Sequence, residues 1–190
     1  MRIILDRGTP IIRSIKDSCL AFSFTMGTAW MFAVVDSFHE YGISPALLIE
    51  PFRSSPEGYG VTRKIVLGRD DVKDLVKDLG EIFLPREGTK ERQFIYSGTD
   101  VKTEKRRIVV LNVRFFNVVH EDGIRSRGVD FEICEYKKRK WSKDQKTSKL
   151  IGKKHCEDGL YLTEEASRSL LTNLRKMYAK IIGATEMPRQ

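Results

Sequence analysis

The stretch FFNVVHEDGIRSRGVDFEIC (115–134) decides how this chain folds. An apolar run ends in His-Glu, one further residue and Gly-Ile, and a second alternating run follows. The same order occurs earlier, where MFAVVDSFHEYGI (31–43) is followed by ALLIEPF (46–52). His39-Glu40 matches His120-Glu121, Leu47 matches Val129, Ile49 matches Phe131 and Glu50 matches Glu132. Working outward, each half next passes through a polar hairpin region. It is RSSPEGYG (53–60) in the first half and a longer, far more basic segment, 137–157, in the second. A short apolar strand closes each sheet, KIVL (64–67) and GLYL (159–162).

A helical period follows in both halves. Val72, Leu75, Val76, Leu79, Ile82 and Phe83 recur at i, i+3, i+4 spacing, and so do Ala166, Leu170, Leu171, Leu174, Met177, Tyr178 and Ile181. That spacing gathers the apolar residues on one helix face. Leu75 and Leu170 lie 95 positions apart, as do Leu79 and Leu174. Thr163 is placed to cap the second helix and Gly68 holds the equivalent position before the first. Asp70 and Asp71, and Glu164 and Glu165, put negative charge near the positive end of each helix dipole. Further strands are expected before each paired block, at RRIVVLNVR (106–114) and from Ser18 to Thr25. Strand runs closed by a helix, used twice, predict an α+β fold: two repeats, each an antiparallel sheet of about four strands followed by one amphipathic helix. The repeats are bounded at 18–84 and 104–183. Residues 85–103 are read as a linker, and residues 1–17 as an extension without an assigned place.

The chain has 190 residues, 41% hydrophobic and 32% charged, with 34 Lys and Arg against 26 Asp and Glu, a net charge of +8. That hydrophobic content supports a core and excludes a disordered tail. The positive surplus points to a polyanionic partner, with nucleic acid ahead of an anionic membrane surface. No stretch approaches the ~20 apolar residues of a membrane span. Cys19, Cys134 and Cys156 are odd in number and lack metal-type spacing. They imply a reducing, intracellular setting without a disulfide framework.

GVDFEICEY (128–136) with GLYLTEEASRSLLTNL (159–174), and ALLIEPF with TRKIVLGRDDVKDLVKDL (62–79), resemble the PUR repeat of Pur-alpha-like proteins. They are also similar to the Whirly proteins and to the single-stranded-DNA-binding transcriptional coactivators of the same superfamily. His-Glu-x-Gly-Ile stands where PUR repeats carry a glycine-arginine turn, and the lysine-glycine-lysine signature of Whirly proteins is absent. The resemblance implies twisted sheets with helices packed across them, two units paired within one chain as a pseudo-dimer or between chains as a dimer. It implies binding of single-stranded DNA or RNA on an exposed sheet surface, without enzymatic activity or a cofactor.

Single-strand binding requires cations along the phosphates and flat side chains under the bases. Lys137, Lys138, Arg139 and Lys140 run directly into Trp141 and Lys143, with Lys153 and Lys154 following. Trp141 either stacks on bases or folds back onto the core. Period-two alternation puts Arg106, Asn112, Arg114 and Phe116 on one face of their strand and Val109, Leu111, Val113 and Phe115 on the core face, and Arg106, Arg114 and Phe116 are the candidate contacts. Arg53, Tyr59, Arg63 and Lys64 are the sparser set of the first half, and Trp30 is read as core. Lys137–Lys140 also fits a nuclear-import patch, which favours the nucleus over the cytoplasm. The His-Glu pairs raise an acid–base or metal alternative. Strand neighbours point to opposite faces, however, and no HExxH, Walker loop or GxSxG occurs, so neither a catalytic site nor a metal site is expected. The other non-enzymatic reading is a protein-interaction or oligomerisation scaffold of the same fold.

Overall fold

Val109, Leu111, Val113 and Phe115 alternate with Val110, Asn112, Arg114 and Phe116. In the computed structural model this alternation forms one continuous strand with its odd residues in the core. The structure describes residues 15–23, 28–39, 42–52, 65–84, 87–99, 106–141, 148–156 and 159–186. In chain order these give β1 (Ile15–Phe22), β2 (Ala29–His39), β3 (Gly42–Phe52), β4 (Ile65–Leu67) and α1 (Arg69–Glu81). There follow β5 (Gly88–Thr99), β6 (Arg106–Val119), β7 (Arg125–Trp141), β8 (Ser148–Cys156), β9 (Leu160–Thr163) and α2 (Glu164–Glu186). The fold is α+β, with antiparallel sheets of four and five strands and two helices. Among the described residues no helix is long and apolar enough to cross a membrane.

The first sheet runs β1-β2-β3-β4 and the second β5-β6-β7-β8. β7 is long enough to pair twice, with β9 through Gly128–Phe131 and with β8 beyond Cys134. Its far half and β8 therefore form the basic hairpin read from 137–157. The His-Glu-x-Gly-Ile of the second half is a tight turn. The His120 amide donates to the Ile124 carbonyl at 2.8 Å and the Gly123 amide to the His120 carbonyl at 2.9 Å. Gly123 has φ 79°, a conformation glycine adopts without steric cost.

The strand ladders match row by row. Val34, Leu47 and Leu67 pair across the first sheet as Phe115, Val129 and Leu162 pair across the second. Phe32, Ile49 and Ile65 correspond likewise to Val113, Phe131 and Leu160. All twelve face one shared core, to which α1 and α2 add Leu75, Leu79, Leu170 and Leu174. The sheets meet through Phe131, whose ring lies 6.1 Å from Trp30 and 5.7 Å from Phe32. Trp30 is fully buried, as the sequence predicts. Each buried Phe, Leu or Ile contributes about 1.5–3 kcal/mol, so the core binds the two halves tightly together.

Two expectations require correction. The segment 85–103 contains a twelve-residue strand, β5, on the edge of the second sheet. Its Lys90 and Arg92 lie on the core-facing side, where hydrophobic patterning predicts apolar residues. The acidic face of α1 explains their presence. Asp78, with no solvent exposure, accepts hydrogen bonds from Lys90 Nζ at 2.5 Å and from Arg92 Nε, and Asp74 accepts from Arg92 at 2.6 Å. These bonds, first to Asp78 and then to Glu81, hold the Lys90 ammonium above its usual pKa. The second correction concerns the cysteines, since Cys134 and Cys156 are joined by a disulfide. They are 22 residues apart in sequence, but the β7–β8 hairpin sets them directly opposite each other. Cys19 remains a thiol, pushed up to about 11 by burial and then by Asp17.

Candidate nucleic-acid interface

The even-numbered residues of β6 and β7 face away from the core and form the outward surface of the second sheet. Its central row runs Glu91, Arg114, Asp130, Tyr161, and the next row Gln93, Asn112, Glu132. Apart from Tyr161, which stands at the end of its row, these residues line a shallow groove of about 520 Å³ together with Tyr136 and Lys153. Arg114 Nε donates to Glu91 at 2.9 Å, and Lys153 Nζ lies 3.4 Å from Glu132. The Asn112 amide donates to Glu132 at 3.2 Å and accepts from Gln93 at 3.0 Å. Burial raises the Asp130 carboxyl above its usual pKa, against the pull of Arg114 and with the help of Glu132.

At one end of the groove Phe116 and Tyr161 stack, with centroids 5.6 Å apart and planes 14° from parallel. Gly128 makes this possible. A Cβ at position 128 would lie 2.6 Å from Phe116 Cζ and would collide with the Leu162 carbonyl oxygen. The small residue that opens GVDFEIC is thus the floor on which the Phe116 ring lies. At the other end the groove runs into the β7–β8 hairpin. There Lys140 pairs with Lys149 and Tyr136 with Lys153 along the backbone, and Lys137 is exposed.

The structure brings Arg114, Phe116, Lys137 and Lys153 onto one sheet and its hairpin. Arg106, Lys138, Arg139, Lys140, Trp141 and Lys154 belong to the same strands by backbone, and their side chains lie outside the described residues. Arg53, Tyr59, Arg63, Lys64 and Lys143 lie outside the described residues altogether. The described face is mixed in charge, with Glu91, Asp130 and Glu132 beside Arg114 and Lys153. On the hairpin the described cations are Lys137, Lys149 and Lys153, all exposed.

Tyr161 and Gln93 are not among the residues the sequence points to, whereas Asn112 falls by alternation on the outward face with Arg114 and Phe116. Alternation in GLYL carried the signal for Tyr161, because Leu160 and Leu162 point inward and leave Tyr161 outward. Gln93 was hidden in the segment read as a linker. His120 and Glu121 are exposed at their turn, and His120 Nε2 bonds Ser126 Oγ at 2.7 Å. The side chain of His39, and Glu40 itself, lie outside the described residues. No protein-family model matches the chain, and no curated protein resembles it closely enough to count as a match.

Proposed function

We propose that the chain binds single-stranded DNA or RNA across the outward face of the second sheet and its basic hairpin. The observation that carries this reading is the paired Phe116–Tyr161 platform next to Arg114 and Asp130, which adjoins a groove that continues into the cation-rich strands β7 and β8. Phosphates would follow the hairpin cations, while bases would lie on the aromatic pair. The carboxylates and amides of the groove then have a use. Glu132, Asp130 and Asn112 can accept from exocyclic amino groups on unpaired base edges.

Two further observations support the superfamily reading of two units packed as an intramolecular pseudo-dimer. The ladders of the two sheets correspond row by row, and each first strand is tied to the helix of the other half. Asp17 of β1 meets Lys180 of α2 at 2.7 Å, and Lys90 of β5, at the equivalent row, meets Asp78 and Glu81 of α1. Neither reading assigns the protein a catalytic role.

The test is a titration of fluorescent single-stranded DNA and RNA at several salt concentrations. Binding that weakens as salt rises is expected, and binding absent at low salt would overturn the proposal. Removing Lys137–Lys140 together with Trp141 should weaken it most. A protein-interaction scaffold is favoured by one observation. Ile15, Leu20 and Phe22 are exposed along the edge strand β1, at 51%, 54% and 64%. A complex that survives high salt and excludes nucleic acid would support that reading instead.

A further inference from the structure

The Cys134–Cys156 pair lies on the outward side of the second sheet, one row from the Asn112–Glu132 row. The two sulfur atoms and a Glu132 carboxylate oxygen lie within 4.8 Å of one another. Asn112 Nδ2 reaches both, at 3.2 Å from Glu132 Oε2 and 3.7 Å from Cys134 Sγ, and so aims the carboxylate at the sulfurs. Cys134 is fully buried, whereas Cys156 and Glu132 are partly open to solvent, which leaves one side of the cluster accessible from the groove. The strands fix this geometry: Glu132 and Cys134 are alternate residues of β7, and Cys156 is the cross-strand partner of Cys134.

We propose that, when the disulfide is reduced, Cys134, Cys156 and Glu132 form a binding site for a thiophilic divalent cation of the zinc class. Two thiolates and one carboxylate supply three ligands of a tetrahedral site, and water takes the fourth position on the groove side. Asn112 is a positioning residue, holding Glu132 through Oε2, and the Lys153 ammonium, 3.4 Å from Oε1, must swing away for that oxygen to reach the metal. The oxidised and metal-bound states exclude each other because they use the same two sulfur atoms. In the first step a dithiol reductant passes two electrons and two protons to the Cys134–Cys156 disulfide, giving two protein thiols and an oxidised reductant. In the second, Zn²⁺ replaces the two thiol protons, which leave to solvent. The sulfurs must then move to about 3.7 Å apart, the edge of a tetrahedron with Zn–S bonds of about 2.3 Å. A side-chain adjustment supplies this, since the pair closes only the base of a hairpin. Glu132 and Asn112 also line the proposed nucleic-acid groove, but the cobalt experiment uses no nucleic acid, so its failure and the failure of that reading are distinguishable.

The experiment uses the full chain and Co²⁺ as probe. Under anaerobic conditions, protein reduced with a phosphine should take up one Co²⁺ per chain, with a thiolate-to-cobalt charge-transfer band that Zn²⁺ abolishes. The same protein oxidised beforehand should give no band. Cys156→Ser should lose the band, Cys19→Ser should keep it, and Glu132→Gln should weaken Co²⁺ affinity by at least about tenfold. Absence of the band in the reduced wild-type chain would overturn the proposal without any variant. A band that survives Cys156→Ser, or that forms equally in oxidised protein, would overturn it as well.

Discussion

At equivalent ladder positions the first sheet turns Ser18, Ala33, Leu48 and Val66 outward, and the second turns Glu91, Arg114, Asp130 and Tyr161 outward. Beyond β1 and β5 the inward rows of the two sheets are alike in their apolar character; the outward rows are opposites. Ala33, Val35 and Leu48 are shut off from solvent in a small apolar cluster with Met31 and Val66. Glu91 and Arg114 are open, and Tyr161 is 38% exposed. The same backbone lattice thus carries one surface that is apolar and closed at its centre, open only along β1, and one polar, aromatic surface. The core needs only the inward rows, so the outward rows are where the two halves are free to differ.

Exchange of residues between equivalent rows is the sharpest way to break this comparison. Leu48→Asp should cost at least about 4 kcal/mol, because it places an unpaired carboxylate at a site with no solvent access. The converse change, Asp130→Leu, should leave stability within about 1 kcal/mol of wild type, as for an intermediate surface position. Urea denaturation of both variants gives the contrast directly, and equal losses would remove the distinction between the faces.

Position 128 is the next largest effect. Gly128→Ala should destabilise by about 1–3 kcal/mol, since the added methyl collides with the Leu162 carbonyl and the Phe116 ring. Its counterpart in the first sheet already carries a methyl group: Ala46 pairs with Val35 as Gly128 pairs with Phe116. Thermal unfolding, together with the near-ultraviolet signal of the displaced aromatic pair, checks this.

A smaller effect is expected on binding. Tyr161→Ala should weaken single-stranded nucleic acid by between about 5-fold and 150-fold, the equivalent of about 1–3 kcal/mol for one stacked base. Val66→Ala, at the matching row, should leave binding unchanged. Fluorescence anisotropy at fixed salt reads both.

The smallest effect is in pH dependence. Burial lifts the Asp130 carboxyl above its ordinary value of 3.8, so the folded chain holds that proton more tightly than the unfolded chain. Its contribution favours folding below that value and is lost as pH rises through the folded pKa. Asp130→Asn should therefore raise Tm relative to wild type at neutral pH, with the difference vanishing near pH 3. A difference that persists unchanged at low pH would count against the charge as its cause.

Element types were read well where one period ran uninterrupted. α1, α2 and the paired strands β2, β3, β6 and β7 all follow from it, and Arg114 and Phe116 fell on the outward face for the same reason. β5 was missed because GTKERQFIYSGT puts Lys90 and Arg92 at inward positions, where local pattern recognition expects apolar residues. Only the buried Asp78, distant in sequence and on another element, makes those positions suitable for cations. Tyr161 was legible in the alternation of its four-residue strand but was outweighed by the apolar residues on either side.

The sequence by itself determined the α+β class, the order of the elements other than β5, the inward face of β6 and the concentration of positive charge after Lys102. Each rests on local periodicity and composition, which neighbouring residues express without distant partners. The tertiary structure alone decided the disulfide between Cys134 and Cys156, the helix–strand ion pairs and the stacking of Phe116 on Tyr161. Those depend on register across hairpins and on packing between halves, so residues far apart in the chain acquire their chemistry only when the sheets set them side by side.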